Sequence, residues 1–462
     1  MIANAPFHLD HFRFEMVRPA IGHLIFDTPG RTVNVLGAAA LADLERIAAW
    51  LPESGLGGLL LSSAKASGFC AGADLAEFEA IYAMVATVAP DDRFATLHAR
   101  FAPFTRAFRR LETAGVPVAV AIEGPALGGG CELALAGHWR VMASGSTAAL
   151  GLPEITVGLF PAGGGSQRLP RLIGLDAAVP MVFEGTWLSA EAAVAVGAAD
   201  ALAAPGRTLA AALAWLESGP DWLPPWDRPG GVPAPAPAKL AALRREREAA
   251  AGGHYPAVTA ILDCLEGGLQ LDMDRANAIE LDALARLLLR PEPRAMMGTL
   301  FHGRQAYQRA SKDNRLPAWL APLVGEVGRA LAGEADRMGR ALAESAALQA
   351  GFTKPLPSFQ DAAGHILRPS SSSAPSALLM RSAQATGLWI DAPSAGWQRE
   401  AARLLSRALL AAEAHGAGLA GADRQMADYA VVTEFGFPAY LGGPFALAAT
   451  AGGGWARTQL KE

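Results

Sequence analysis

Three glycine-marked segments in the first 170 residues contain the side chains with the clearest potential for chemistry. The first covers residues 67–75 and reads SGFCAGADL, and the second covers residues 123–132 and reads EGPALGGGCE. The third runs over residues 151–168, begins GLPE and continues into AGGGSQR. The last two segments contain Glu132 and Glu154, and a positioned carboxyl group can act as a general acid or a general base.

The second segment places three glycines between a predicted strand and a predicted helix. Free N–H groups at a helix N-terminus point outward, and the helix dipole favours negative charge there. Glycine lets a ligand approach the backbone closely, so residues 128–130 could hold a developing oxyanion. Glu132 lies in the first helical turn, where it could act as an acid or base. The dipole also favours a carboxylate there for purely structural reasons.

Taken singly, the other two segments have simple structural interpretations. Small residues after a strand, as in residues 67–75, are typical of a tight turn. A Pro-Glu pair after a short strand, as at Pro153 and Glu154, is typical of a solvated helix start. Only the combination of the three segments favours a functional site.

Alternating strands and helices predict an α/β core in the first 200 residues. Residues 189–197 predict a helix with a serine cap at its start and a glycine at its end. The predicted strands cover residues 22–27, 57–62 and 116–122. The other predicted helices cover residues 38–50, 94–111 and 131–138.

The rest of the chain is predicted to be helical and to contain two linkers. Residues 221–237 are proline-rich and predict an extended linker or a long loop, and residues 369–376 (PSSSSAPS) predict a second linker. Residues 239–348 have an almost continuous helical pattern, and residues 397–415 form one amphipathic helix. We therefore divide the chain into residues 1–205, 206–310, 311–375 and 376–462.

Length and composition limit the class of protein. A chain of 462 residues is too long for one ordinary core and predicts two or three domains. The formal net charge of -5 gives no reason to expect a nucleic acid or a membrane as a partner. Residues 1–15 do not have the pattern of a signal peptide, and no stretch has the length and apolarity of a transmembrane span.

The cysteines predict neither a metal site nor a disulfide framework. Cys70, Cys131 and Cys264 form no CxxC pair. We expect them to be free and buried thiols in a reducing cytoplasmic environment.

In order and spacing, the motifs FCAGADL, EGPALGGGCELALA and GLPEITVGLFPAGGGSQRLPRLIG resemble the crotonase superfamily and, within it, the enoyl-CoA hydratases. More narrowly, they resemble the hydratase half of the multifunctional fatty-acid oxidation alpha subunits. The resemblance covers residues 12–200, and residues 34–36 (NVL) fit the family's early strand-to-helix turn. It implies an α/β fold with a crotonase-type ββα spiral core over residues 1–205, followed by an all-helical C-terminal region.

The resemblance implies a role for particular residues. Glu132 and Glu154 match the two catalytic glutamates of the family, which hold one water between them. The backbone N–H groups of Ala73 and Gly129 match the oxyanion hole. Neighbouring residues are then expected to contact the substrate, namely Ala71, Gly72, Asp74, Leu75, Gly128 and Pro153.

Two positions depart from the family pattern. Residues 162–165 read AGGG where the family usually has GAGG. His138 stands where the family commonly has an acid, and we interpret it as a structural residue. Neither change affects the implied chemistry.

The implied reaction is the hydration of 2-trans-enoyl-CoA to 3-hydroxyacyl-CoA, without a metal or another cofactor. The alternatives are an enoyl-CoA double-bond isomerase and a non-catalytic scaffold that binds acyl-CoA. The presence of both glutamates favours the hydratase. Residues 78–100 are expected to line the acyl pocket. Trp187 could line the site, but a position in the core is favoured.

The second half resembles other parts of the multifunctional proteins. Residues 283–309 are similar to the helix after their hydratase core, and residues 206–310 are expected to form a linker and helices that pack on that core. Residues 311–375 are expected to form a helical segment and the Ser/Pro linker. Residues 434–444 are similar to the C-terminal part of their 3-hydroxyacyl-CoA dehydrogenase half, so residues 376–462 are interpreted as a helical remnant of that domain.

No dinucleotide-binding domain is recognisable between these parts, so we expect neither NAD nor dehydrogenase activity. A GxGxxG pattern occurs at Gly416, Gly418 and Gly421, but it follows a predicted helix and does not open one after a strand. The expected partners are the acyl-CoA substrate and either further copies of the chain or a thiolase.

Overall fold

The structure is a computed structural model, and it describes residues 7–312, 315–354, 356–357, 396–451 and 455–460. The chain divides into two compact units. The first consists of Met1–Ile155, Leu159–Ala241 and Ala260–Leu289, and the second of Thr156–Gly158, Ala242–Thr259 and Arg290–Glu462. The division into four segments stays a prediction, and the predicted linker at residues 369–376 lies outside the described residues.

The centre of the first unit is a six-stranded sheet with the order β1-β2-β3-β4-β6-β9. Strands β1 and β2 are antiparallel, and the other neighbours are parallel. Strands β5, β7 and β8 form a separate three-stranded sheet. The strands are β1 (Phe12–Arg18), β2 (Ile21–Phe26), β3 (Gly58–Ser63), β4 (Val118–Ile122), β5 (Ala126–Leu127), β6 (Trp139–Ala143), β7 (Ala149–Gly151), β8 (Trp187–Ser189) and β9 (Ala201–Ala203).

The inner strands are short apolar runs, GLLLSS in β3 and VAVAI in β4. Every residue of β4 is buried, which is the pattern of a parallel strand covered on both faces. The strands predicted over residues 22–27, 57–62 and 116–122 are confirmed, with ends that differ by one or two residues.

Helices α1 to α11 belong wholly or partly to the first unit, and two of the boundaries between the units fall within α9 and α10. The predicted α/β alternation is confirmed, as are the helices predicted over residues 38–50, 94–111 and 131–138, with ends that differ by up to three residues. The helices are α1 (Ala38–Trp50), α2 (Glu77–Ala86), α3 (Arg93–Glu112), α4 (Gly129–Leu135), α5 (Gly165–Ile173), α6 (Leu175–Glu184), α7 (Ala190–Val196), α8 (Thr208–Glu217), α9 (Pro237–Ala251), α10 (Pro256–Gly268) and α11 (Met273–Leu288).

Helix α8 packs on one face of the large sheet. Small side chains on the strands allow the helix to approach closely, and burial of the apolar surface stabilises the contact by about 25 cal/mol per Å². The buried cluster consists of Ile21, Leu60, Ala119, Ala121, Val141, Ala212 and Leu216.

The parallel direction of β3 and β4 determines where the glycine-marked loops lie. The carboxyl ends of neighbouring parallel strands lie at the same edge of a sheet, where ligands of α/β proteins bind. Residues 67–75 follow β3 and residues 123–128 follow β4, and an isolated bridge between Cys70 and Ala126 joins the two loops. Strand β5 pairs with β7, which leads into the 3₁₀ turn Pro153–Val157 that carries Glu154.

The second unit is helical over the part that the structure describes. Its further elements are α12 (Pro291–Met296), the π-helix Met297–Gly303, α13 (Arg304–Lys312), α14 (Leu320–Met338), α15 (Arg340–Gln349), α16 (Gly396–His415), α17 (Ala422–Phe435), the 3₁₀ turn Ala439–Leu441, α18 (Pro444–Ala451) and α19 (Trp455–Gln459). None of the described helices is long and apolar enough to cross a membrane.

Two buried acids organise this second unit. Glu334 accepts hydrogen bonds from the guanidinium groups of Arg337, Arg403 and Arg407 and so links α14 to α16. Asp428 of α17 accepts the N–H groups of residues 445 and 446 at 2.7 and 3.0 Å, and it therefore caps the start of α18.

The expectation of one helix over residues 283–309 is wrong. Helix α11 ends at Leu288, and Arg290 is extended with φ -86° and ψ 151°. The helix is interrupted here because the residue before a proline is disfavoured in the helical conformation. Pro291 then begins the next helix. The GxGxxG pattern lies between α16 and α17, as predicted.

The expectation that Trp187 lies in the core is also wrong, since 51% of the residue is exposed. Strand β8 is an edge of the small sheet, and the indole lies against Gly151, where an added Cβ would be 2.5 Å from its Cδ1 atom. The size and apolarity of a side chain do not determine which face of an edge strand it occupies.

The proline-rich segment at residues 221–237 is a loop with one 3₁₀ turn, as predicted. Trp222 in this loop packs edge-on against His138 with 4.6 Å between the ring centroids. The His138 Nδ1 atom accepts the N–H of Val118 at 2.8 Å, and burial lowers the pKa of His138 to about 4. These contacts confirm the structural interpretation of His138.

The predicted serine cap of α7 provides a test of local stability. The Ser189 Oγ atom accepts the N–H of Ala192 at 3.2 Å, and Gly197 ends the helix in the left-handed conformation. We expect Ser189→Ala to lower the free energy of unfolding by about 1 kcal/mol, measured by urea denaturation. Ser189→Asn keeps a capping acceptor and should lose less; equal losses in the two variants would contradict the cap.

Candidate active site

The glycine-marked loops meet because their backbones pair with one another. The N–H of Leu127 donates to the carbonyl of Cys70 at 2.9 Å, and the N–H of Phe69 donates to the carbonyl of Pro125 at 2.9 Å. A Cβ added to Gly72 would lie 3.4 Å from the nitrogen of Gly129. The two loops are therefore in contact where the predicted oxyanion hole should be.

A buried amide side chain, that of Asn34, supports the contact between the two loops. Its Nδ2 atom donates to the carbonyls of Phe26 and Phe69, each at 3.0 Å, and its Oδ1 atom accepts the N–H of Thr28 at 2.8 Å. Its own carbonyl accepts the N–H of Ala71 at 2.9 Å. One side chain thus connects the end of β2 to the first loop.

The N–H groups of Ala73 and Gly129 are the free donors of this region. Among the described residues neither group donates a hydrogen bond, although the N–H groups of the adjacent Asp74 and Gly128 both do. Ala73 is held by a bridge to Leu36, and Gly129 is the first residue of α4. Two neighbouring free N–H groups have the form of a site for a developing oxyanion.

Glu132 is a buried carboxyl group with a defined orientation, 3% exposed. It lies in the first turn of α4, as predicted, and its Oε1 atom accepts the N–H groups of Gly163 and Gly165 at 2.7 and 2.8 Å. Burial raises the pKa of Glu132 to about 7, although the two N–H donors and the nearby Arg168 oppose this shift.

Glu154 lies next to the second loop. A Cβ added to Gly128 would be 2.9 Å from the Glu154 Oε1 atom, and Gly128 has φ +53°, so glycine is required here on both grounds. The Glu154 Oε2 atom is buried and has no hydrogen-bond partner among the described residues. Burial, followed by the charges of Glu132 and Glu280, raises the pKa of Glu154 well above its usual value.

A third buried acid, Glu280, was not predicted. Its Oε2 atom accepts the N–H of Gly164 at 2.6 Å, and its Oε1 atom accepts the hydroxyl of Ser166. Burial raises the pKa of Glu280 to about 8, and the charge of Glu132 contributes. The consecutive N–H groups of residues 163–165 therefore alternate between Glu132 and Glu280.

A buried ion pair supports the same glycine loop. Arg168 is fully buried, and its guanidinium donates to both carboxylate oxygens of Glu112 at 2.8 and 3.1 Å and to the carbonyl of Gly163 at 3.0 Å. Arg109 also donates to Glu112 at 2.7 Å and to both oxygens of Asp227 at 2.6 and 2.8 Å. This network joins α3, the start of α5 and the proline-rich loop.

A small, mainly apolar cavity adjoins Ala73. Phe78, Ile81 and Arg100 line it, and all three belong to the stretch predicted to line an acyl pocket. Phe104 lies between this cavity and Gly129, where an added Cβ would be 3.0 Å from the phenyl ring.

The remaining predicted contact residues lie on the same loops, and their contact with a substrate stays a prediction. Ala71 is exposed and Gly72 is buried, while Leu75 is half-buried. Asp74 forms an ion pair with Arg31 at 2.7 Å, which ties the first loop to residue 31. Pro153 begins the 3₁₀ turn that carries Glu154.

Sequence reasoning missed Glu280 although a signal was present. The buried face of α11 includes Ala276, Asn277, Leu281 and Leu284, and Glu280 falls on that same face. An acid on the apolar face of an amphipathic helix needs a buried partner, so this position could have been selected from the helical period alone. Asn34 and Arg168 were noted only as parts of motifs.

Among the described residues, no group of three or more His, Cys, Asp or Glu side chains could hold a metal ion. The three cysteines are free and buried, as predicted. Burial raises the pKa of the Cys70 thiol to about 12 and raises the pKa of Cys131 as well. These thiols are therefore in their protonated form at neutral pH.

Comparison with known proteins identifies the class of this unit. Residues 20–219 match the family model described as enoyl-CoA hydratase/isomerase. The match covers this part of the chain, and the expected α/β core of the crotonase type, followed by a helical C-terminal region, is confirmed.

Among individual relatives, the chain is similar to the fatty acid oxidation complex subunit alpha of Shewanella amazonensis. The identity is 30% over 311 residues, which cover 66% of this chain and 43% of the relative. The chain thus spans less than half the length of that curated relative.

Two solved structures are also similar. The crystal structure of an enoyl-CoA hydratase from Bacillus anthracis shares 24% identity with a TM-score of 0.39, over 66% of this chain and 98% of that one. The structure of DspI from Pseudomonas aeruginosa shares 27% identity with a TM-score of 0.39, over 45% of this chain and 80% of that one.

The buried ion pair predicts a large effect on stability. Arg168→Met leaves the buried Glu112 with Arg109 as its remaining cation, and we expect a loss of about 3–5 kcal/mol in the free energy of unfolding. The matched control is Arg106→Met, since Arg106 pairs with Glu45 at an exposed position and should lose at most about 1 kcal/mol. Urea denaturation of both variants measures the difference, and similar losses would refute the buried pair's importance.

Proposed function

We propose that this chain hydrates 2-trans-enoyl-CoA to 3-hydroxyacyl-CoA. The observation that carries the proposal is the placement of two carboxyl groups, Glu132 and Glu154, beside the free N–H groups of Ala73 and Gly129. Glu132 is buried in the helical turn that begins at Gly129, and Glu154 lies against Gly128 with its Oε2 atom buried. A thioester carbonyl held by the two N–H groups would present its unsaturated carbons to the two carboxyl groups. The match of residues 20–219 to the family model supports the same substrate class.

The different surroundings of the two acids favour different roles. Glu132 accepts two backbone N–H groups, which stabilise the ionised form, and its pKa is raised to about 7. The Oε2 atom of Glu154 has no such donor among the described residues, and burial raises the pKa of Glu154 well above its usual value. We therefore assign Glu132 as the general base and Glu154 as the general acid.

The proposed reaction transfers one water across the double bond. Glu132 takes a proton from water while the oxygen bonds to the β-carbon, and the electron pair of the double bond moves into the thioester as an enolate. The N–H groups of Ala73 and Gly129 stabilise the enolate oxygen, and one such donor is typically worth about 3–4 kcal/mol. Glu154 then gives its proton to the α-carbon, and exchange of protons with solvent restores both acids.

This chemistry requires neither a metal nor NAD. Water adds without any net transfer of electrons, and the N–H pair supplies the polarisation of the carbonyl. The absence of a cofactor and of dehydrogenase activity is therefore part of the proposal. The whole activity of the longer relative does not follow from it, because the chain spans 43% of that protein.

The second candidate function is double-bond isomerisation of the same thioesters. It requires one acid to move a proton between two carbons of the substrate, whereas hydration uses one base and one acid. The presence of two buried carboxyl groups with different surroundings favours hydration. Analysis of the products from 2-enoyl- and 3-enoyl-CoA substrates separates the two reactions.

Location and partners complete the proposal. We propose a cytoplasmic enzyme of fatty acid oxidation, since the similar relative is a subunit of a fatty acid oxidation complex. The possible protein partners are further copies of the chain or a thiolase. Size-exclusion chromatography with light scattering, alone and with a thiolase, tests these partners.

The first functional test is the hydration of crotonyl-CoA and of a longer 2-enoyl-CoA, followed by loss of the absorbance of the conjugated thioester. We expect Glu132→Gln and Glu154→Gln each to lower kcat about 10²- to 10⁴-fold, because each removes one proton transfer. Glu53→Gln, which alters an exposed acid, should leave kcat unchanged. Undiminished turnover in either of the first two variants would reject the acid and base assignment.

The raised pKa values predict a bell-shaped dependence of kcat on pH. Activity should rise with pH as Glu132 ionises, with a midpoint near its pKa of about 7. It should fall at higher pH as Glu154, whose pKa burial raises well above its usual value, loses the proton that it must donate. Initial rates between pH 5 and 10 measure both limbs, and a flat profile across this range would contradict the assignment.

A further inference from the structure

Glu280 lies outside the family match, in helix α11, and the proposed reaction assigns it no step. It is nevertheless fully buried, and both its oxygens bind the segment that orients Glu132. A buried carboxyl group is costly unless hydrogen bonds or charges compensate it. Its position therefore requires an explanation beyond packing.

The N–H groups of residues 163–165 provide that explanation. Gly163 and Gly165 donate to the Oε1 atom of Glu132, while Gly164 between them donates to Glu280 at 2.6 Å. Gly164 has φ +101°, and a Cβ there would lie 1.8 Å from the Nη1 atom of Arg168. This backbone turns its successive N–H groups in opposite directions, and Glu280 holds the middle one.

Ser166 extends the attachment of this segment. Its hydroxyl donates to the Oε1 atom of Glu280 and accepts from the Nε2 atom of Gln167 at 3.0 Å. Gln167 also donates to the carbonyl of Cys264 at 2.9 Å, and Arg171 donates to Gln167 Oε1 at 3.0 Å. The start of α5 is thus bonded to α10 and α11 on the side opposite to Glu132.

We propose that Glu280 is a positioning residue for the acid/base pair: it holds the turn at residues 163–166 so that two backbone N–H groups fix the Oε1 atom of Glu132 and leave Oε2 for the reaction. The inference rests on the proposed hydratase function. Helix α11, which lies beyond the matched residues 20–219, would thereby contribute to the reaction.

Glu280 also adds a negative charge to the site when it ionises. The ionisable groups that face it are Glu132 of α4, Glu154 of the 3₁₀ turn, Arg168 and Arg171 of α5, and Cys264 of α10. Its charge favours the protonated form of Glu154, whose pKa is consequently higher. The charge of Glu132 in turn raises the pKa of Glu280. Removal of the Glu280 charge should therefore lower the pKa of Glu154.

Two substitutions of similar volume separate position from charge. Glu280→Gln keeps an oxygen for the N–H of Gly164 and a donor for Ser166, but it removes the charge. Glu280→Met fills the space and removes both hydrogen bonds. Asp282→Asn is the control, because Asp282 lies on the same helix and pairs with His98 at an exposed position.

The experiment measures kcat, KM and the pH profile of hydration for the full chain and these variants. We expect Glu280→Met to lower kcat about 10²-fold with KM nearly unchanged, since a displaced acid/base group impairs the reaction more than binding. Glu280→Gln should retain most of kcat, and the high-pH limb of its pH profile, which reports Glu154, should shift to lower pH. Asp282→Asn should match the unaltered chain.

An unchanged kcat in Glu280→Met together with an unshifted profile in Glu280→Gln would overturn the proposal. If Glu280→Met does not fold, the pH profile of Glu280→Gln decides the question. If the unaltered chain shows no hydration, the proposed function fails. Glu280 is then tested by carboxyl ¹³C NMR, with the Glu132 signal assigned from Glu132→Gln. Loss of the turn in Glu280→Met should displace the two N–H groups that lower the pKa of Glu132, so an unchanged pKa of Glu132 in Glu280→Met would reject the inference.

Discussion

The three N–H groups of residues 163–165 are the constraint on which the rest of the candidate site depends. Each backbone N–H can satisfy one buried acceptor, and here consecutive groups satisfy Glu132, Glu280 and Glu132 again. This alternation requires the left-handed conformation of Gly164. The orientation of the proposed base is therefore set by backbone geometry, which does not depend on the flexibility of a surface side chain.

This arrangement lowers the stability of the folded state at pH values where the buried acids would ionise. Glu132 and Glu280 bind protons more tightly in the folded than in the unfolded chain, with pKa values raised to about 7 and about 8. Their contribution to stability is therefore favourable at low pH and is lost as the pH rises from the usual glutamate pKa through these values. The bonds from Arg168 to Glu112 and to the carbonyl of Gly163 help to hold the segment in place.

The contact between the loops at residues 67–75 and 123–128 is a second feature on which the site depends. Free N–H groups at Ala73 and Gly129 occur because two loops follow neighbouring parallel strands and pair with each other by backbone bonds. Asn34 stabilises this contact with one amide that bonds to residues 26–28 and to Phe69. The chemistry thus lies at the carboxyl edge of the sheet, while the supporting hydrogen bonds come from loops and helices on several sides.

Local sequence patterns determined much of this protein. The apolar runs of β3 and β4, the serine cap of α7 and the first-turn position of Glu132 all follow from short-range chemistry, and the structure confirms them. The resemblance to the crotonase superfamily selected the three loops, and residues 20–219 match the family model described as enoyl-CoA hydratase/isomerase. The catalytic roles of Glu132 and Glu154 stay predictions that the geometry supports.

Tertiary structure alone decided which distant groups complete the site. Glu280 is 116 residues from Gly164 in the chain, and no local rule relates the two positions. Trp187 was expected in the core but is exposed on an edge strand. Short-range patterns specify elements and motifs, whereas burial and long-range hydrogen bonds depend on which elements pack together, and that was settled only when the chain folded.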